Sequence, residues 1–214
     1  MSRGKFITLE GLDGAGKTTH LAWLAEFLKT RGMPVRLTRE PGGTALGERL
    51  RELLLAPAQD LDAETETLLV FAARREHVDK VIEAALAAGS WVVCDRFTDA
   101  TFAYQSGGSG VAWSKIELLE HWVQGTLQPD LTLYFDIPPE LGRVRTSAIK
   151  ATADRFEQED AGFHARVREA YLRRAREHPQ RIRVIDASRG LSEVHEELER
   201  TMDAFFGASA ACKR

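Results

Sequence analysis

The 214-residue chain has no asparagine and only two cysteines, Cys94 and Cys212. Lacking asparagine, it cannot contain the Asn-Lys-x-Asp segment that guanine-specific nucleotide switches normally carry. One cysteine lies in an apolar run and the other is third from the end, so neither a disulfide framework nor a metal cluster nor the prenylation spacing is indicated. The six histidines are scattered and none has metal-ligand spacing. No apolar stretch approaches about 18 residues, and the start of the chain is too polar to head a signal peptide. A net charge of −3 offers no general attraction for nucleic acid or an anionic membrane. These absences predict a cytoplasmic protein with neither nucleic acid nor membrane as partner, in which any affinity for anions is local.

What is present suits one domain spanning residues 1–214. Hydrophobic content of 43% and charged content of 29% are globular values, and the length is enough for one full α/β core but short for two. The chain is organised around Gly11-Leu12-Asp13-Gly14-Ala15-Gly16-Lys17-Thr18, which matches G-x-x-x-x-G-K-[ST]. An apolar run, Lys5 to Leu9, precedes it and a helical pattern follows, the context in which this motif cradles phosphate. Backbone N–H groups freed by the glycines and the positive end of the helix meet phosphate oxygens, Lys17 reaches the terminal phosphates, and Thr18 can ligate Mg²⁺.

Strands and helices alternate along the rest of the chain. Strands are predicted at Pro34–Arg39, Trp91–Cys94, Asp130–Ile137 and Arg181–Asp186, joining the one before the loop in a five-stranded parallel sheet with helices on both faces. A short helix over Ala45–Leu55 carries Arg49 and Arg51, and Asp62 caps a long one running to about Ala88. Gly107–Gly110 reads as a flexible loop, Ser114 and Glu117 as a capping box, and residues from 207 onward as a frayed tail. The strands end in Glu10-Gly11, Arg39-Glu40, Asp95-Arg96, Asp136 and Asp186, so charge gathers at the edge where open α/β sheets bind ligands. Asp95, closing an apolar strand near a phosphate loop, has the Walker-B placement for holding Mg²⁺.

With these segments in order, the chain resembles the bacterial thymidylate kinases from about residue 3 to 205. The resemblance rests on Glu10 to Thr19, Thr38-Arg39-Glu40-Pro41-Gly42-Gly43-Thr44, Asp95-Arg96-Phe97 leading to Ala103-Tyr104-Gln105, Gln128 to Leu133, and Asp154-Arg155-Phe156-Glu157. It implies a P-loop nucleoside monophosphate kinase fold with a mobile lid, ATP and dTMP as substrates, Mg²⁺ as cofactor, and a homodimer. Residues Gly11 to Thr19 then bind ATP, with Asp13 also meeting the 3′-hydroxyl of the dTMP sugar, and Arg39 and Arg96 clamp phosphate beside Pro41. Thr101, Tyr104 and Gln105 line the deoxynucleoside. Arg74 reads the base edge, and Phe71, three residues earlier, either stacks on the base or packs the core. Another nucleoside monophosphate or deoxynucleoside kinase is the neighbouring alternative, and a non-catalytic nucleotide switch the more distant one.

Phosphoryl transfer needs positioning and charge neutralisation more than covalent chemistry. The resemblance assigns that work to Lys17, Arg96 and cations of a lid at about 141–156, because Gly14 leaves the phosphate loop without the arginine that other members carry there. Arg145, Lys150 and Arg155 are the candidate lid cations, with Arg143 as readily a solvated residue.

Overall fold

The computed structural model describes residues 3–56, 61–148 and 154–211. Strand β1 (Phe6–Gly11) is buried along its whole length, as a strand covered on both faces must be. It is joined by β2 (Val35–Arg39), β3 (Trp91–Asp95), β4 (Leu131–Asp136) and β5 (Ile182–Asp186), all parallel, in the order β2-β3-β1-β4-β5. The predicted five-stranded parallel sheet is the one found. The chain crosses to opposite sides of β1, so a crevice opens above the carboxyl ends of β1, β3 and β4. Leu9 and Arg39 both pair with Asp95, which brings the charged strand ends level with one another.

Nine α-helices are described: α1 (Lys17–Thr30), α2 (Ala45–Leu55), α3 (Ala63–His77), α4 (Glu83–Ala87), α5 (Thr98–Thr101), α6 (Trp113–Gln124), α7 (Pro139–Ser147), α8 (Ala161–Glu177) and α9 (Leu191–Ala211). They cover both faces of the sheet. The larger core joins Ile7, Leu9 and Val93 to Leu24 and Leu28 of α1, Tyr171 of α8, and Leu198 and Met202 of α9. Alternate strand residues, Phe6, Val92 and Cys94, instead cluster with Val78, Ile82 and Leu86 around α3 and α4.

Three local expectations are corrected. The long helix after Asp62, whose carboxylate accepts from Glu64 N and Thr65 N, is interrupted by a wide π turn at Val78–Ile82. Before that turn His77 is bound to Thr38 and Glu40, whereas Val78, Ile82 and Leu86 must face the sheet, and the extra width re-phases one side to the other. Gly107 and Gly108 do not form a loop but end a second π segment, Phe102–Gly108. A Cβ there would come within 2.5 Å of Ala170 or of Phe163, so the glycines let this segment lie directly against α8. Helix α6 starts at Trp113 with no side-chain cap, its start set by the Trp113 ring packed 4.7 Å from Phe102. Helix α9 runs to Ala211, with Phe205 and Phe206 packed against Trp91.

Candidate active site

The phosphate loop follows β1 directly and feeds α1. Gly16 caps α1 with φ 85° and no side-chain cap bond, and the first turn holds no acidic residue. The first-turn N–H groups of α1 therefore have neither a capping side chain nor an acidic neighbour beside them, an arrangement suited to an anion. Lys17 is only 6% exposed, and its ammonium donates to the carbonyls of Gly11 at 3.0 Å and Leu12 at 2.9 Å. Burial, then the nearby Arg96 guanidinium, lower its pKa, while Asp13, Asp95 and Glu10 oppose that shift. Leu12 and Ala15 point into the core, whereas Thr18 and Thr19 are exposed. Gly14 has φ 80°, and a Cβ on it would lie 2.2 Å from the carbonyl oxygen of Gly142 in α7. The absence of an arginine at position 14 thus has a steric cause: the loop and the first turns of α7 touch backbone to backbone.

Beside the loop, β3 ends in Asp95-Arg96. Arg96 has a left-handed backbone, φ 66°, uncommon for a side-chain-bearing residue and of order 1–3 kcal/mol in strain. Its surroundings hold it: Arg96 N donates to Leu9 O at 2.9 Å, and Phe97 N to the buried carboxyl of Glu10 at 2.7 Å. The Arg96 guanidinium donates to Gly11 O at 2.9 Å and to the Asp13 carboxylate at 2.8 Å, and lies 4.8 Å over the Tyr104 ring. Glu10 also accepts from the Tyr171 hydroxyl at 2.8 Å. Burial first, then repulsion from Asp99, push the Glu10 carboxyl up to about 8. Asp95 Oδ1 is buried and accepts no hydrogen bond among the described residues.

Across from Arg96 lies a cavity of about 120 Å³. Its lining includes the polar side chains of Asp13, Arg51, Arg74, Arg96, Thr101 and Gln105. It also includes the apolar ones of Leu54, Leu55, Val70, Ala100 and Phe156. Arg74 is fully buried, its Nε donating to Glu40 at 2.7 Å and its Nη2 to Thr101 at 2.9 Å. Glu40 also holds His77 at 2.9 Å, and Thr38 holds the other side of that ring at 2.6 Å. Burial acts to raise the Glu40 carboxyl, but the Arg74 guanidinium and the hydrogen bond to His77 outweigh it and hold it below the usual range. Pro41 lines the cavity and its carbonyl accepts from Arg51 at 3.0 Å. The Tyr104 hydroxyl is buried without a hydrogen-bond partner among the described residues, and burial raises its pKa.

Two predicted ligand residues stand elsewhere. Phe71 is 2% exposed and belongs to a core cluster with Phe102, Ile116 and Val123, so of the two placements open to it the structure selects the core. Val70, one residue earlier, is the one on the cavity wall. Arg39 is exposed and bound to Glu48 at 2.7 Å, outside the cavity lining, while Arg51, to which the sequence reading gave no role, faces the cavity. A signal for Arg51 was available: it stands four residues after Gly47 and three before Leu54, the two buried positions of α2.

A family model described as thymidylate kinase matches residues 9–198. The chain belongs to the thymidylate kinase family. Among similar proteins, the thymidylate kinase of Nitrosospira multiformis is 61% identical over 204 residues, covering 95% of this chain and 99% of that one. The thymidylate kinase of Nitrosomonas europaea is 61% identical over 206 residues, covering 96% and 95%. Among solved structures, thymidylate kinase from Ehrlichia chaffeensis superposes with a TM-score of 0.76 at 37% identity, covering 94% of this chain and 99% of that one.

Within this thymidylate kinase fold the expected lid cations are dispersed. Arg145, on α7, donates to Ala187 O at 2.8 Å and so ties α7 to the loop after β5. Arg155 donates to Leu54 O at 3.1 Å and pairs with the buried carboxylate of Glu66, which places it on α2 and α3 rather than over Lys17. Lys150 lies outside the described residues.

Proposed function

We propose that the chain transfers the γ-phosphoryl of ATP to dTMP, giving ADP and dTDP, in nucleotide biosynthesis for DNA synthesis. The observation that carries this reading is the placement of Arg96. Its side chain binds the phosphate loop through Gly11 O and Asp13 and also lines the cavity that contains Arg74 and Gln105. A donor phosphate on the loop and an acceptor phosphate in the cavity would share this one guanidinium, whose planar fork suits phosphate oxygens. Asp13 stands between the two, the position for a sugar 3′-hydroxyl. The acceptor monoester, with a second pKa of about 6, is largely ionised at neutral pH, so positioning and charge are what the protein must supply.

Thr18 at the exposed start of α1 and Asp95, whose buried Oδ1 has no partner among the described residues, are hard oxygen donors that fit Mg²⁺. A Mg²⁺ ion held by these two residues would supply charge neutralisation for the donor phosphates. Lys17 would exchange its loop carbonyls for phosphate oxygens, and Arg39 and Arg51 would add charge at the phosphate end of the acceptor. Arg145, Lys150 and Arg155 belong to a lid that closes over ATP and excludes water. We further propose a cytoplasmic homodimer. Leu68 of α3 (55% exposed) and Leu118 and Trp122 of α6 (69% and 78%) form an apolar face that a second copy would cover.

Purified protein with ATP, Mg²⁺ and each nucleoside monophosphate should make dTDP from dTMP fastest. Equal or greater turnover of AMP, GMP or CMP would refute the substrate assignment. Lys17→Ala should abolish turnover while the protein remains folded by circular dichroism.

A further inference from the structure

Glu66 is a carboxylate in the first turn of α3, 1% exposed, that the reaction itself does not call for. A charge buried so deeply needs donors on both oxygens. It has them: Gln105 Nε2 donates to Oε1 at 2.7 Å, and the Arg155 guanidinium donates to Oε2. We propose that Glu66 is a positioning residue that sets which end of the Gln105 amide faces the acceptor cavity, and that Arg155 ties this setting to the docked end of the lid. The inference rests on the reading of the cavity as the dTMP site.

The argument follows from donor and acceptor inventories. An ionised carboxylate only accepts, so the amide must turn its NH₂ group toward Glu66 and its carbonyl oxygen away. Gln105 lines the cavity, and the atom it has left to present there is therefore an acceptor. Arg74 supplies the complement. Its Nε is committed to Glu40 and its Nη2 to Thr101, while its Nη1 is buried with no partner among the described residues and can only donate. One donor and one acceptor among the lining side chains match a pyrimidine with a 4-carbonyl and an N3–H. Cytosine presents the reverse pair, an exocyclic amine and a bare N3, and would leave buried groups facing like groups. Were the amide free to flip, Gln105 would accept either base. The carboxylate thus gives the pocket its polarity without touching the substrate.

Arg155 gives Glu66 its second partner. The same side chain donates to Leu54 O at 3.1 Å and lies 4.5 Å over Phe156, whose ring meets Tyr104 edge-on at 5.5 Å. Docking of residues 154–157 on α2 and α3 and orientation of the base reader therefore share one carboxylate.

The test is kinetic discrimination between dTMP and dCMP at saturating ATP. In Glu66→Gln the residue at 66 can donate as well as accept, so both orientations of Gln105 become available. The kcat/KM ratio of dTMP over dCMP should fall at least tenfold, chiefly through KM for dTMP, with KM for ATP within about twofold of wild type. The exchange Glu66→Gln with Gln105→Glu restores every pairing: the new amide donates to the new carboxylate, whose other oxygen accepts in the cavity. This double variant should recover the wild-type ratio to within about threefold. A Glu66→Gln enzyme whose ratio stays within twofold of wild type, or a folded double variant no better than the single, would overturn the proposal. A merely structural Glu66 would lower thermal stability and slow both substrates alike. If the single variant does not fold, the double variant decides by the same ratio. Wild-type protein that prefers dCMP would refute the dTMP reading itself, a result visible before any variant is made.

Discussion

Replacing Gly14 with arginine tests why this chain keeps its phosphate loop free of an arginine. The substitution supplies a cation where the sequence lacks one, and charge counting alone predicts a faster enzyme. The structure predicts the opposite. At φ 80° a side-chain-bearing residue costs about 1–2 kcal/mol. Its Cβ would also fall 2.2 Å from Gly142 O and 2.9 Å from Gly142 Cα, backbone atoms that cannot swing aside. Separating the loop from α7 is an overpacking problem of typically 1–3 kcal/mol. The combined loss is about 2–5 kcal/mol, equivalent to a fall in Tm of roughly 4–20 °C for a chain of this size. The displaced loop would also misplace Lys17 and Asp13, so kcat should fall more than tenfold. Differential scanning calorimetry and steady-state kinetics on Gly14→Arg, with Gly14→Ala as the control that carries the same Cβ without charge, measure both. A Gly14→Ala protein with Tm within about 1 °C of wild type, or a Gly14→Arg enzyme with undiminished kcat, would refute the steric account.

Three further outcomes are expected. Glu10 binds its proton more tightly folded, up to about 8, than at its ordinary 4.5, so its contribution to stability is complete below about 4.5 and is lost as pH rises through 8. Denaturant titrations at pH values of about 5, 6.5 and 8 should show this decline, and Glu10→Gln should flatten it. Phe71→Ala should cost about 3–5 kcal/mol of stability as a core truncation, with KM for dTMP nearly unchanged per folded molecule, whereas Val70→Ala should raise KM for dTMP at a smaller cost in stability. If Phe71→Ala instead raises KM tenfold without destabilising, the ring reaches the base. Trp122→Glu should convert a dimer to a monomer in sedimentation velocity; an unchanged dimer would place the interface elsewhere than on α3 and α6.

Much of this molecule is legible in its sequence because its signals are local. The phosphate loop is a contiguous segment whose glycines, lysine and flanking strand and helix declare themselves by spacing, and β1, β3 and β4 are largely apolar runs ending in charge. Parallel pairing and the carboxyl-edge site follow from that alternation. The sequence could also locate Arg74, Arg96 and Gln105, because each sits at a motif whose order along the chain matches its order in the fold.

What only tertiary structure decided depends on which neighbour a side chain meets. Phe71 and Val70 are adjacent and both apolar, and the phase of α3 against α6 alone sends the larger one inward. The glycines at 107 and 108 look like a loop until α8 is packed on them, when they become the reason a helix can lie so close. Arg155 carries a lid-motif signature, yet its partner is Glu66, 89 positions away in sequence. Gly14 was a missing arginine in the sequence; in three dimensions it is a contact with Gly142, 128 positions further on, that leaves no room for any side chain. Local chemistry wrote the phosphate loop and the sheet, while long-range contact, which periodicity cannot encode, chose which side chains line the cavity.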